Sequence, residues 1–110
     1  MKEASVKQEI HDELKYQQMA HSDTYYFMPP ANGYGRSGIP DFVACVAGTF
    51  VAIEAKGKGG KTTALQDREL QRINDAGGIA LVVTHEHDVR AVVAATCDLA
   101  RARRNSGETK

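Results

Sequence analysis

Asp41, Glu54 and Lys56 are the residues of this chain whose types and spacing are best suited to chemistry. Glu54 and Lys56 end the run Phe50-Val51-Ala52-Ile53-Glu54-Ala55-Lys56, which is apolar until it reaches Glu54. Side chains alternate along a strand, so Glu54 and Lys56 share one face and Ala55 points to the other. Asp41 opens a second apolar run, Asp41 to Ala47. Only Gly48 and Thr49 separate the two runs, which predicts a tight antiparallel hairpin. In a hairpin centred there, positions whose numbers total about 97 face each other. Asp41 then lies opposite Lys56, with Glu54 one diagonal step away, about 7–8 Å at Cα. Two carboxylates so placed can share a divalent cation such as Mg²⁺ or Mn²⁺, with waters completing the shell. Such an ion lowers the pKa of a bound water toward neutrality. The ammonium can orient that water or offset charge developing on a phosphate. Charged groups on apolar strands are costly to desolvate unless paired or metal-bound. An ordinary salt bridge at a solvated sheet edge is the other reading of the same three residues, and the residue types alone leave both open.

The elements that must position these groups follow from the pattern. Val6, Ile10 and Leu14 recur at a spacing of four and predict a helix from Lys2 to about Met19. A short aromatic strand, Thr24 to Met28, follows a polar break and is ended by Pro29 and Pro30. Ala31 to Gly38, with Gly33, Gly35 and Gly38, reads as a loop. After the hairpin, Gly57 to Lys61 is a flexible basic loop. A helix then runs from about Thr63 to Ala76, with Thr63 and Gln66 spaced as a capping box and Gly77-Gly78 as its stop. Ile79 to Thr84 is almost wholly apolar, which predicts a central strand. His85 to about Arg104 reads as a last helix, and Asn105 to Lys110 as a frayed polar tail beyond a single domain, 1–104. The order α, β, β, β, α, β, α predicts an α/β fold, a small mixed sheet flanked by helices.

Composition bounds the answer. A chain of 110 residues makes one domain. The formal net charge of zero counts against a protein that coats nucleic acid, while leaving room for local basic clusters at Lys56 to Arg72 and at Arg101, Arg103 and Arg104. Cys45 and Cys97 have no metal-ligand spacing and are expected as buried, reduced thiols. His85 and His87 fit a helix start better than a metal site. No apolar run approaches a membrane span and the N-terminus has no leader-like segment, so a cytoplasmic protein is expected.

Gly38-Ile39-Pro40-Asp41-Phe42, Ile53-Glu54-Ala55-Lys56 and Gln66 together resemble the PD-(D/E)xK nucleases, and more narrowly the virus-type replication-repair nuclease (VRR-NUC) family. The similarity in order and spacing covers about residues 3 to 90. The resemblance implies a restriction-endonuclease-like core and an Mg²⁺- or Mn²⁺-dependent DNA endonuclease. It implies that Asp41 and Glu54 bind the metal, that Ala55 gives its carbonyl, and that Lys56 assists the water. It further implies a homodimer acting on branched DNA such as a four-way junction, in the cytoplasm of a bacterial or phage-infected cell. A Glu on the first helix and a Gln after the lysine also belong to the family pattern. Among Glu3, Glu9 and Glu13, the family spacing selects Glu3. The helical angle agrees, placing Glu3 at about 60°, between Ile10 at about 40° and Leu14 at about 80°. Glu3 also reads as a helix-start acid favoured by the macrodipole. Gln66 reads either as a capping-box residue or as a site residue sharing a sheet-facing stripe with Leu70 and Ile73. Asn32-Gly33-Tyr34 match a turn the family often has, whereas Phe27-Met28-Pro29-Pro30 replaces a more polar segment. Two rivals stay open: a catalytically silent DNA-binding module with a nuclease fold, and an interaction protein whose acid–lysine cluster is only a salt bridge.

Overall fold

The computed structural model describes residues 2–30 and 37–107. Its elements are α1 (Glu3–Ala20), β1 (Thr24–Phe27), β2 (Phe42–Val46), β3 (Thr49–Lys56), α2 (Ala64–Asp75), β4 (Ile79–Thr84) and α3 (Val89–Gly107), the expected order and α/β class. The strands form one mixed sheet in the order β1-β2-β3-β4, antiparallel except for the parallel pair β3–β4. A parallel pair needs a crossover, and α2 supplies it.

Alternation divides the sheet into two faces. Phe42, Ala44 and Val46 of β2, Val51, Ile53 and Ala55 of β3 and Val83 of β4 pack with Val6, Ile10 and Leu14 of α1 and Val89, Val93, Cys97 and Ala100 of α3. Phe42, Ile10, Leu14 and Ile53 are buried almost completely. Each such side chain contributes about 1.5–3 kcal/mol by leaving water. On the opposite face α2 packs over β3 and β4. Beyond it the neighbours Tyr25, Cys45 and Phe50 form an exposed row across β1, β2 and β3.

Several expectations are corrected. The hairpin turns at Ala47-Gly48, not Gly48-Thr49. Both turn residues have positive φ, 49° and 83°, as a type I′ turn requires, and a β-branched Thr is disfavoured there. Paired positions therefore total 95, with Phe42 opposite Ile53 and Val46 opposite Thr49. The strand called central, β4, is an edge strand. Its apolar sequence reflects helices on both faces rather than strands on both sides. The last helix starts at Val89, because His85 to Asp88 form a turn: the Thr84 amide donates to His87 Nδ1 at 2.9 Å, and Asp88 Oδ1 accepts from the Ala91 amide at 3.2 Å. The helix also runs on to Gly107, into the segment expected to fray. Cys45 is exposed, because it falls on the sheet face that α2 leaves uncovered, whereas Cys97 is buried and its thiol is pushed up to about 11 by that burial. The Asn32-Gly33-Tyr34 turn and most of the Ala31–Gly38 loop lie outside the described residues, as do residues 108–110 of the tail. Among the described residues, no helix is long and apolar enough to cross a membrane.

Candidate active site

The site forms where four segments meet at the C-terminal end of β3. Two glycines let them meet. A Cβ on Gly57, one residue past β3, would collide with the backbone of Lys2 and Glu3 at the start of α1. A Cβ on Gly38 would lie 2.5 Å from the Leu65 carbonyl oxygen, and its φ of 84° already favours glycine. Gly57 thus brings α1 against β3, and Gly38 brings the segment leading to Asp41 against the first turn of α2.

The register change alters the geometry in a useful direction. Continued by one residue, the pairing sets Asp41 opposite Glu54, not opposite Lys56. Directly opposed side chains lie closer than diagonal ones. Asp41 precedes β2 rather than opening it, and its Oδ2 accepts a hydrogen bond from the Ala55 amide at 2.9 Å. The amide and carbonyl of one strand residue point to the same edge, so the Ala55 carbonyl also faces the Asp41 side.

Glu54 is the least solvated acid of the group, with its side chain 2% exposed. Its Oε2 accepts from Gln66 Nε2 at 2.8 Å and pairs with Lys56 Nζ at 3.3 Å. Its Oε1 is buried and has no hydrogen-bond partner among the described residues. Burial, and then the Asp41 carboxylate, push Glu54 up to about 7 from 4.5, against the opposing pull of Lys56. Gln66 fills both roles that its sequence position allowed. Its amide and Oε1 complete the capping box with Thr63 at 3.1 and 2.9 Å, which fixes the backbone while Nε2 reaches Glu54.

Glu3, which the helical angle set within the apolar stripe of Val6, Ile10 and Leu14, is not buried with them. Its side chain is 42% exposed, although its backbone packs against Gly57. The buried acid of that helix is Glu13, which pairs with Arg90 of α3 at 3.1 Å. Glu3 does face the site through a residue that sequence reasoning missed. Lys7 Nζ lies 3.5 Å from Glu3 Oε2 and 3.5 Å from Asp41 Oδ1. Burial disfavours the charged form of Lys7, but Asp41 and then Glu3 outweigh it and raise its pKa. The signal was the four-residue spacing of Glu3 and Lys7, which by itself reads as a surface helix pair. His85 and His87 belong to the β4–α3 turn rather than to the acid cluster.

Among the described residues, no group of three His, Cys, Asp or Glu side chains is arranged to hold a metal. The donor set is nevertheless suited to a hard cation of the Mg²⁺ kind, which takes one or two carboxylates and keeps its waters. Asp41 and Glu54 offer two carboxylates, and Glu54 Oε1 is a buried oxygen without a hydrogen-bond partner among the described residues, open to a water or a cation. No protein-family model matches the chain, and no curated protein matches it either.

Proposed function

We propose that the chain is a divalent-metal-dependent DNA endonuclease of the virus-type replication-repair nuclease kind. One observation carries the reading: Glu54 is buried beside Asp41, Lys56 and Gln66, with one carboxylate oxygen left without a hydrogen-bond partner among the described residues. A structural salt bridge requires no orphaned oxygen and no second carboxylate, and both make the folded state less stable. Sites that carry such a cost are functional candidates.

Asp41 Oδ1, Glu54 Oε1 and the Ala55 carbonyl would hold Mg²⁺ or Mn²⁺, with Glu3 at the periphery. Held there, such an ion would supply Lewis acidity toward the scissile phosphate and would lower the pKa of a water ligand. The protein's own groups do the rest. The Ala55 amide locks the Asp41 carboxylate. Gln66 holds Glu54 in one rotamer from a helix terminus that is itself capped. Lys56, 11% exposed, keeps an ammonium beside the reacting centre, where it can orient the attacking water and offset charge on the phosphoryl oxygens. Lys58 and Lys61, in the loop after β3, supply further positive charge toward a polyanion.

A homodimer offering two sites to branched DNA suits a domain of this size. The family resemblance, with a DNA substrate, is the ground for proposing the cytoplasm of a bacterial or phage-infected cell as its location. The test is cleavage of four-way junctions, flaps and linear duplexes with and without Mn²⁺, alongside light scattering. Junction cleavage that needs the metal, by a dimer, is expected. Asp41→Asn is expected to reduce cleavage by at least about a hundredfold while keeping the fold, since it removes a ligand charge. Cleavage retained in that variant eliminates the site assignment. Metal-independent binding without cleavage identifies a silent DNA-binding module instead.

A further inference from the structure

The ammonium of Lys7 stands between two of the proposed metal-site carboxylates. On an exposed helix a Glu3–Lys7 pair four residues apart is commonplace and contributes little. Its second arm is not commonplace. It crosses from α1 to Asp41, whose side chain is 20% exposed, at 3.5 Å. Asp41 has two oxygens. Oδ2 is held by the Ala55 amide at 2.9 Å, and Oδ1 is the one Lys7 reaches. The oxygen best placed to bind a cation is thus already next to one.

We propose that Lys7 is a placeholder for the metal, bridging Asp41 and Glu3 until a divalent ion displaces its ammonium from Asp41 Oδ1. This rests on the metal reading of the site given above. Two considerations carry it. Without a divalent ion, Asp41 faces Glu54 and lies near Glu3; Lys56 pairs with Glu54, while among the described residues Lys7 is the ammonium that reaches Asp41 Oδ1, so Lys7 helps to keep the carboxylates assembled. With a divalent ion on Oδ1, an ammonium in the same place would repel it at close range. Lys7 is half-exposed on a flexible four-carbon stem, so its ammonium can move to water without unfolding α1. The exchange swaps one cation for another and leaves the helix, the Ala55 clamp and the Glu54–Gln66 bond in place. Lys7 is therefore a positioning residue that sets how much metal the site needs.

The test is calorimetric titration of the metal-free full-length chain with Mn²⁺, for wild type, Lys7→Met, Lys7→Gln and Lys7→Arg, with thermal denaturation of each. Removing the competing charge is expected to tighten Mn²⁺ binding roughly fivefold in Lys7→Met and Lys7→Gln, while lowering the metal-free melting temperature. Lys7→Arg keeps the charge and is expected to bind as wild type does. Unchanged or weaker Mn²⁺ binding in Lys7→Met and Lys7→Gln, with wild-type binding intact and abolished by Asp41→Asn, overturns the placeholder role alone. Absence of Mn²⁺ binding in wild type and in all three variants overturns the metal reading together with it.

Discussion

At the scale of single residues, the informative group is Glu54. Its folded pKa of about 7 lies above the ordinary 4.5, so the folded chain holds the proton more tightly than the unfolded chain does. Stability is then fully present below about 4.5 and falls as pH rises through about 7. Glu54→Gln removes that loss, because the amide is neutral at every pH. The variant is expected to be more stable than wild type at pH 8, by on the order of 1–2 kcal/mol, to lose that advantage at pH 4, and to be inactive. Urea denaturation at the two pH values measures this, and equal stability at pH 8 contradicts the assigned burial cost. Mn²⁺ bound at the proposed site is expected to reverse the sign, because only an ionised carboxylate would ligate it, so that metal-induced stabilisation would grow as pH rises past 7. That Asp41, Glu54 and Lys56 lie together was legible in the sequence, because charge beside apolar strand runs is conspicuous and the hairpin juxtaposes it; their assignment to a site came from the family resemblance. Lys7 was not, since its role lies in a contact between residues 34 positions apart in the chain. Glu3 was misread as buried because a helical angle says which side a residue faces and nothing about where the covering layer ends.

Among the elements, the hairpin shows most clearly what a sequence pattern leaves undecided. The two strands and their pairing were legible from the apolar runs. The register depended on which two of Ala47, Gly48 and Thr49 take positive φ, and a slip of the turn by one residue moves every pairing by two. That slip is what sets Asp41 against Glu54. The edge position of β4 escaped for a similar reason. An apolar strand reports cover on both faces, and here helices provide it. The meeting of α1 with β3 depends on a backbone contact at Gly57 that no periodicity reveals. A side chain there meets the Lys2 and Glu3 backbone, which cannot rotate away. Gly57→Ala is expected to cost about 2–3 kcal/mol and to lift the first turn of α1 from the sheet. Thermal denaturation would show the loss, and amide exchange over Glu3 to Lys7 would show where it falls. Wild-type stability and protection would mean that the contact is not tight.

Over the whole molecule, site and clasp lie at opposite ends of α1. Gln17 is 14 residues from Glu3, which is about 21 Å along a helix at 1.5 Å per residue. There Arg101 of α3 donates to Asp23 at 3.0 Å, to Gln17 at 2.9 Å and to Thr24 at 2.9 Å, tying α3 to the end of α1 and the start of β1. Its side chain is 17% exposed, so the bonds form where water competes only partly. The Arg101 hydrogen bonds hold Asp23 below the usual carboxylate range, despite some burial. The Asp23 contribution is therefore present above about pH 4 and is lost as pH falls through the lowered value. Arg101→Met keeps the apolar stem and removes all of these bonds, which is expected to cost about 2 kcal/mol. For a domain of this size that corresponds to a fall in Tm of roughly 8–12 °C at pH 7, with a smaller difference from wild type in strong acid. Mn²⁺ affinity and cleavage measured well below the melting temperature should stay at wild-type values, because nothing in the clasp touches Asp41 or Glu54. Loss of metal binding in a folded Arg101→Met chain would show instead that the two ends of α1 are coupled, and that the position of Glu3 and Lys7 at the site depends on how α3 grips the far end of their helix.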